Sequence, residues 1–407
     1  MKSIKFVEYI NKIYKNNIVY DNDRNLIDYL FFIFPPRLRE GMFYLKVFKN
    51  IPKNIMNYKK IKKLYMQFET NFGNYKEDKK NIYKSIKKLS IKKEDGFEFA
   101  KEFYKNNIKL TKKGKINKTK IILVCLVKDE LRRMKEFYKH YKTLGVENFV
   151  FIDNDSTDGT YEYLETIKNV TIFKVYDKYS TIKRQAWVTK ILSYFGYNNW
   201  YLIVDSDELL VYNDCENKNI DKLVSFASKK RLYRIKGLML DMYSNDNFLE
   251  INEKDKKSIK EKYCYFDNDN YIKKDHKSFE LIEGGMRKRV FGKYDNLSPF
   301  LSKYPIMYYQ KGDLQYNSHY SYPFYKNFNI DLNVALLHYK FLGEDLEKIK
   351  NRAKEKNYAL GSKEYKVYLK AYNQSKNLKL IYNKSKKYEN SKSLETIEII
   401  NPIVWRE

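Results

Sequence analysis

The stretch Trp200-Tyr201-Leu202-Ile203-Val204-Asp205-Ser206-Asp207-Glu208-Leu209-Leu210 runs from five apolar residues straight into three carboxylates within four positions. An apolar run without alternation fits a central strand buried on both faces. Carboxylates gathered at its carboxyl end repel one another, and each loses hydration on burial. A divalent cation relieves both costs. Asp205 and Asp207, one residue apart, can reach the same hard, oxygen-seeking ion, which in turn neutralises the phosphates of a substrate. The carboxyl ends of parallel strands are also where α/β folds bind ligands. In isolation Asp-Ser-Asp reads more simply as a solvated acidic turn, so the flanking pattern has to decide.

Upstream, residues 121–127 form a second buried-strand run, and Lys128-Asp129-Glu130 opens a helix with Leu131, Met134, Phe137, Tyr138, Tyr141 and Leu144 on its apolar face. Gly145 is placed to stop that helix. Residues 148–152 make a strand that ends in Asp153-Asn154-Asp155-Ser156-Thr157-Asp158-Gly159-Thr160, a turn dense in helix-capping residues before a helix at 161–167. A strand at 170–175, a helix at 181–195 and the strand at 200–204 complete the alternation. Strand and helix alternating in this way predict an α/β fold with a mostly parallel, doubly wound sheet and flanking helices. The loops at Asp153 and Asp205 then share one rim. No glycine-rich loop of the dinucleotide or P-loop type is present, so neither of those folds is indicated.

Downstream, residues 231–240 read as a strand and 244–280 as polar loop. Gly284-Gly285-Met286-Arg287-Lys288-Arg289 joins two flexible residues to three cations, which suits an anion-binding loop or a basic hairpin edge. His338 lies in Leu336-Leu337-His338-Tyr339-Lys340-Phe341, where alternation separates it from Leu337 and Tyr339. A neutral imidazole there could complete a metal site with Asp205 and Asp207. Residues 344–382 read as a charged helical tail and 383–407 as loosely ordered.

The 407 residues exceed one typical domain, and a hydrophobic fraction of 43% supports a sizeable core. The net charge of +29 invites a nucleic-acid or anionic-membrane partner. Lysines spread along the chain, with few arginines and no nucleic-acid motif, argue against specific base reading. Residues 76–120 hold 16 lysines against 6 acidic residues, net +10, which reads as a solvated face or linker, with an anionic membrane surface as the sharper alternative. Cys125, Cys215 and Cys264 are too widely spaced for a disulfide framework or a zinc pattern, as expected in a reducing cytoplasm. The start of the chain is polar, without a signal-peptide pattern, and the apolar run 30–34 is too short to span a bilayer. Cytoplasmic location, peripheral at the inner membrane, is the expectation. The organisation expected is a helical Lys/Tyr-rich extension at 1–118, a catalytic domain at 119–343 and a helical tail at 344–407.

Val127-Lys128-Asp129-Glu130, the loop from Asp153, and Val204-Asp205-Ser206-Asp207-Glu208 together resemble GT-A glycosyltransferases of the glycosyltransferase family 2 type, in a bacterial subgroup similar to the family 92 enzymes. Met239-Leu240-Asp241-Met242-Tyr243, Phe266-Asp267, the Gly284–Arg289 run, Leu301-Ser302-Lys303-Tyr304-Pro305 and 336–341 add to the resemblance, which covers about residues 119–370. It implies a GT-A fold and an inverting transfer from a nucleotide-sugar, a UDP-sugar favoured, to a glycan or lipid-linked acceptor. It places Val127, Glu130 and Asp153 at the donor, with Asp153 accepting from the nucleobase. Asp205, Asp207 and His338 would hold Mn2+ or Mg2+, and Arg184, Arg287 and Arg289 would attend the diphosphate. An inverting transfer needs a base for the acceptor hydroxyl. Asp241 comes first, with Glu283 and His319 behind it. No Gln-x-x-Arg-Trp set follows, which argues against a processive polymerase. The competing readings are a sugar-phosphate nucleotidyltransferase of similar fold, whose glycine-rich signature loop is missing at 125–130, and a non-catalytic basic protein on nucleic acid or anionic lipid.

Overall fold

The computed structural model describes residues 95–405 apart from 249–256, 277–278, 311, 316, 323, 328–331, 344, 356–357 and 376. The helical spacing expected within residues 1–94 lies outside the described residues. Helix α1 (Asp95–Tyr104) leads into β1 (Ile108–Lys112), followed by β2 (Ile122–Val127), α2 (Leu131–Thr143), β3 (Asn148–Asp153) and α3 (Thr160–Thr166). Then come β4 (Val170–Val175), α4 (Thr181–Phe195), β5 (Asn199–Ile203), β6 (Glu208–Val211), α5 (Ile220–Lys229) and β7 (Arg234–Asp241). The next stretch, expected to be loop, contains α6 (Ile259–Lys262), β8 (Tyr265–Asp267) and β9 (Tyr271–His276), and β10 (Phe279–Gly284) and α7 (Gly285–Asp295) follow. The chain continues through β11 (Ser302–Tyr309), β12 (Leu314–Gln315), β13 (Ser321–Tyr322), β14 (Asn333–His338), α8 (Asp345–Glu355), α9 (Ala359–Gln374), β15 (Ser385–Lys387) and α10 (Ser391–Glu395).

Nine strands form one sheet in the order β1-β4-β3-β2-β5-β11-β7-β14-β6. Six of them, β2, β3, β4, β5, β7 and β14, run in one direction, and β1, β11 and β6 run against them. The half from β4 to β5 is the expected parallel, helix-linked arrangement. Beyond β5 the sheet is mixed, for a topological reason. The chain leaves β5 and β7 at their carboxyl ends, stays at that rim, and re-enters the sheet from it. A strand entering from the rim must run back antiparallel, as β6 and β11 do; only a full crossover restores the parallel direction.

Alternation along β2 divides its side chains between two cores. Leu123, Cys125 and Val127 pack with Met134, Phe137 and Tyr141 of α2 and Leu223 of α5 on one face. Ile122 and Val124 pack with Trp187, Val188, Ile191 and Leu192 of α4 on the other. Both faces are therefore covered, and truncating a fully buried residue such as Leu123 to Ala would cost about 2–5 kcal/mol.

Two expected boundaries differ from the packing. β1 and α1 fall within the segment read as an extension, yet β1 pairs with β4 and α1 packs on α4. The C-terminal stretch is not a loose tail. α9 places Tyr365, Tyr368 and Tyr372 against Phe291 and Phe341. β15 pairs with β8, and Leu394, Ile400 and Ile403 enter the core beside Leu223. Alternating polar and apolar residues hid this half-buried surface in sequence. No helix among the described residues is long and apolar enough to cross a membrane.

Candidate active site

The carboxyl ends of β2, β3, β5, β7 and β14 gather at one rim, where β6 begins. Val127 stands opposite Asp153 in the β2–β3 register, and His338 stands opposite both Asp241 of β7 and Glu208 of β6. Asp205 and Asp207 occupy the turn between β5 and β6, one strand-end away. The turn is shaped locally: Glu208 N–H donates to Asp205 O at 3.1 Å, and Glu208 Oε2 accepts from Asp205 N–H at 3.1 Å.

Asp205 is held by two cations. Arg184 Nη2 donates to its Oδ1 at 2.5 Å and Lys303 Nζ to its Oδ2 at 2.8 Å, and Lys303 also meets Glu208 Oε1. Burial alone would raise the Asp205 carboxyl, but Arg184 and Lys303 outweigh it and hold it well below the usual carboxylate range. Burial raises the pKa of Glu208, with Lys303 opposing and Asp205 and Asp207 adding to the rise.

Asp207 faces the other way. His338 Nε2 lies 3.4 Å from Asp207 Oδ2, while His338 Nδ1 donates to Asp241 Oδ1 at 2.6 Å. A carboxylate, an imidazole and a second carboxylate therefore stand in line. Burial would lower the His338 pKa, but Asp207 and Asp241 outweigh it and raise it to about 9. Without a metal the ring is thus a cation at neutral pH, which the surrounding carboxylates require for balance. Asp207, Glu208 and His338 bring one ligand atom each within 4.8 Å of one another. Both Glu208 oxygens already have partners, so Asp207 and His338 are the readier pair, with Glu208 or Asp205 available as a third by exchanging a partner.

A further charged group lies beside this line. Arg287 Nε donates to Asp241 Oδ2 at 2.9 Å and its Nη1 to Glu364 Oε1 at 2.8 Å, where Lys340 Nζ arrives at 3.0 Å and Tyr368 also donates. Arg287 is aimed there by the turn into α7. Gly284 has φ +119°, and a Cβ on it would lie 1.9 Å from Asn270 O, so only glycine fits. Arg184 Nη1 and Arg287 Nη2 are both buried without a hydrogen-bond partner. Buried N–H groups left unpaired are costly, and an anion satisfies them.

The other expected residues are placed less evenly. Asp153 ends β3 with Oδ2 accepting from Ser156 N–H at 3.2 Å and Oδ1 buried without a partner. Burial raises its pKa, with Ser156 opposing. Asp153 has no exposed surface, so a ligand reaches Oδ1 only if the loop after it shifts. Val127 is a core residue whose carbonyl accepts from Asn154 N–H, leaving its side chain no direct part. Glu130 is engaged by three cations, Arg133, Lys348 and Arg352, and Arg133 Nε also donates to Tyr339 O beside His338, so this carboxylate is already neutralised by protein groups at the edge of the rim. Arg289 likewise belongs to another group: it pairs with Asp267 at 2.7 Å and its guanidinium lies 3.9 Å from the Tyr382 ring centre. Helical spacing explains this, since positions 287 and 289 point to different sides of α7.

Of the base candidates, Asp241 has both oxygens engaged, by His338 and Arg287, so its lone pairs already serve those partners. Glu283 receives Lys274 Nζ at 2.6 Å and Ser298 Oγ at 2.9 Å, both on Oε2. His319 Nδ1 donates to Ser302 O at 2.9 Å, and burial together with Lys303 lowers its pKa to about 4. Sequence reasoning missed Lys303, Lys340 and Glu364 as members of the cluster. Lys303 carried a signal, because it interrupts an apolar strand. Glu364 carried none, since it sits in a helix that reads as solvated. No protein-family model matches the chain, and a comparison with curated proteins returns no match.

Proposed function

We propose that the protein is a metal-dependent glycosyltransferase of the GT-A type, moving a sugar from a nucleotide-sugar to a hydroxyl of a glycan or lipid-linked acceptor. The observation that carries this reading is the line Asp207–His338–Asp241 at the carboxyl rim, beside an Asp205 clamped by Arg184 and Lys303. A histidine whose second nitrogen is fixed by a carboxylate is the usual arrangement of a metal-ligating imidazole. The donor set fits a divalent ion: Asp207 and His338, with Asp205 or Glu208, would hold it, and the imidazole favours Mn2+ over the oxygen-preferring Mg2+. When bound, the ion would supply charge neutralisation to a diphosphate leaving group.

The chain's own residues supply the rest. Arg184 and Arg287 present unpaired N–H groups, and Lys303 and Lys340 add positive charge, so phosphate oxygens would find donors already fixed in place. Asp153 Oδ1, once the loop after it shifts to uncover it, is an acceptor matched to a nucleobase N–H. With Asp241 acting to orient His338, Glu283 and His319 remain as groups able to take the acceptor proton. The test is turnover of UDP-, GDP- and CMP-sugars with and without Mn2+. Mn2+-dependent release of the nucleotide, abolished in Asp207→Asn, is expected; a wild-type protein that neither binds nor turns over any of them with Mn2+ refutes the proposal.

A further inference from the structure

A second surface borders the charged cluster. In the antiparallel register of β9 and β10, Ile272 stands opposite Glu283, and Glu283 bridges in turn to Phe300. Residues directly opposite in antiparallel pairs project to the same face. Ile272, Glu283 and Phe300 therefore form a row. Its two ends are each 41% exposed, unusual for large apolar side chains, while Glu283 between them is nearly buried. Lys274 and Ser298 both engage Glu283 Oε2, which leaves Oε1 for an incoming donor.

His319 closes the row. Its ring meets Phe300 edge-on, with centroids 6.0 Å apart and planes at 85°. Because Nδ1 gives its hydrogen to Ser302 O, Nε2 is the bare acceptor. The row lies next to the cluster along the chain. The residue after Ser302 is Lys303, which reaches Asp205, and the residue after Glu283 begins the turn that sends Arg287 to Asp241.

An exposed aromatic ring beside a carboxylate oxygen and a neutral imidazole nitrogen suits one ligand chemistry best. The C–H face of a saccharide ring covers the aromatic, and its hydroxyls donate to both acceptors. With Lys274 already bound to Oε2, the remaining Glu283 Oε1 is an acceptor, which suits a hydroxyl donor better than an anion. Two exposed apolar side chains also fall far short of the roughly 800 Å² per partner that a stable protein interface needs. We propose that Ile272, Glu283, Phe300 and His319 form a saccharide-binding subsite, which, if the function proposed above holds, receives the acceptor sugar.

Ligand-observed saturation-transfer NMR tests this on the full chain without metal or nucleotide. The probes are methyl glycosides of glucose, galactose, mannose and N-acetylglucosamine. At least one should bind, roughly tenfold more weakly to Phe300→Ala and to Glu283→Gln. Tyr233→Ala should bind as wild type does, since that exposed tyrosine lies at the amino end of β7, on the opposite rim. Unchanged melting temperatures would show that the variants fold. Binding of none of the glycosides, or equal binding by Phe300→Ala, overturns the proposal. So does a concentration-dependent self-association that Phe300→Ala abolishes, because a second copy would then be the occupant. The measurement needs no nucleotide-sugar, so its failure and a failure of donor turnover are separate results.

Discussion

Lowering the pH from 9 to 7 should weaken Mn2+ binding steeply, because the ion must displace a proton from His338. Asp207 and Asp241 raise that imidazole to about 9 in the metal-free protein. For a single displaced proton with that pKa, apparent affinity falls about fiftyfold between pH 9 and pH 7, against about 1.3-fold for an unperturbed histidine near 6.5. Proton release at pH 7 separates the two cases more sharply: about one proton per Mn2+ bound, against about 0.2. Titration calorimetry in buffers of different ionisation enthalpy measures that number directly. Asp241→Asn removes one of the two carboxylates that hold the proton, so release at pH 7 should drop in that variant. The same group makes metal-free stability pH-dependent. Its folded pKa lies above the unfolded value, so its contribution is complete below about pH 6.5 and is lost as pH rises to about 9, with an upper bound of about 3 kcal/mol. Mn2+ binding at pH 7 with no proton release, or with the same release in Asp241→Asn, would refute the arrangement.

Three more outcomes are expected. Asp207→Asn should abolish the rise in melting temperature that Mn2+ produces, while the metal-free protein still melts cooperatively; a retained Mn2+ shift would remove Asp207 from the site. Lys303→Ala leaves Asp205 and Glu208 short of a buried cation and should cost about 3–5 kcal/mol in urea unfolding, and a loss under about 1 kcal/mol would mean that water screens the cluster. A chain beginning at Thr119 loses α1 and β1 and so exposes the edge of β4; it should melt well below one beginning at Asp95, and equal melting temperatures would show β1 to be dispensable.

Residues 121–204 carried their architecture openly. Apolar runs bounded by turns marked β2 to β5 to within a residue or so, because strands buried on both faces must be continuously apolar; of the helices between them only α4 opens on a capping side chain, Ser180. The pair Asp205 and Asp207 was visible for the same reason: charge directly after a buried strand is rarely neutral in consequence. His338 was legible as a candidate from its place in an apolar run. Its partners were not, since Asp241 lies 97 positions away and meets it only through the parallel register of β7 and β14. Only tertiary structure decided that Asp241 orients an imidazole, that Arg289 belongs to another network and that Glu130 is engaged by three cations. The same holds for Lys303, which joins the rim from β11, and for Glu364, which joins it from a segment that read as tail. Local patterns report which face of an element is buried. Which charges neutralise one another is a matter of pairing across strands far apart in the chain, and periodicity carries no record of it.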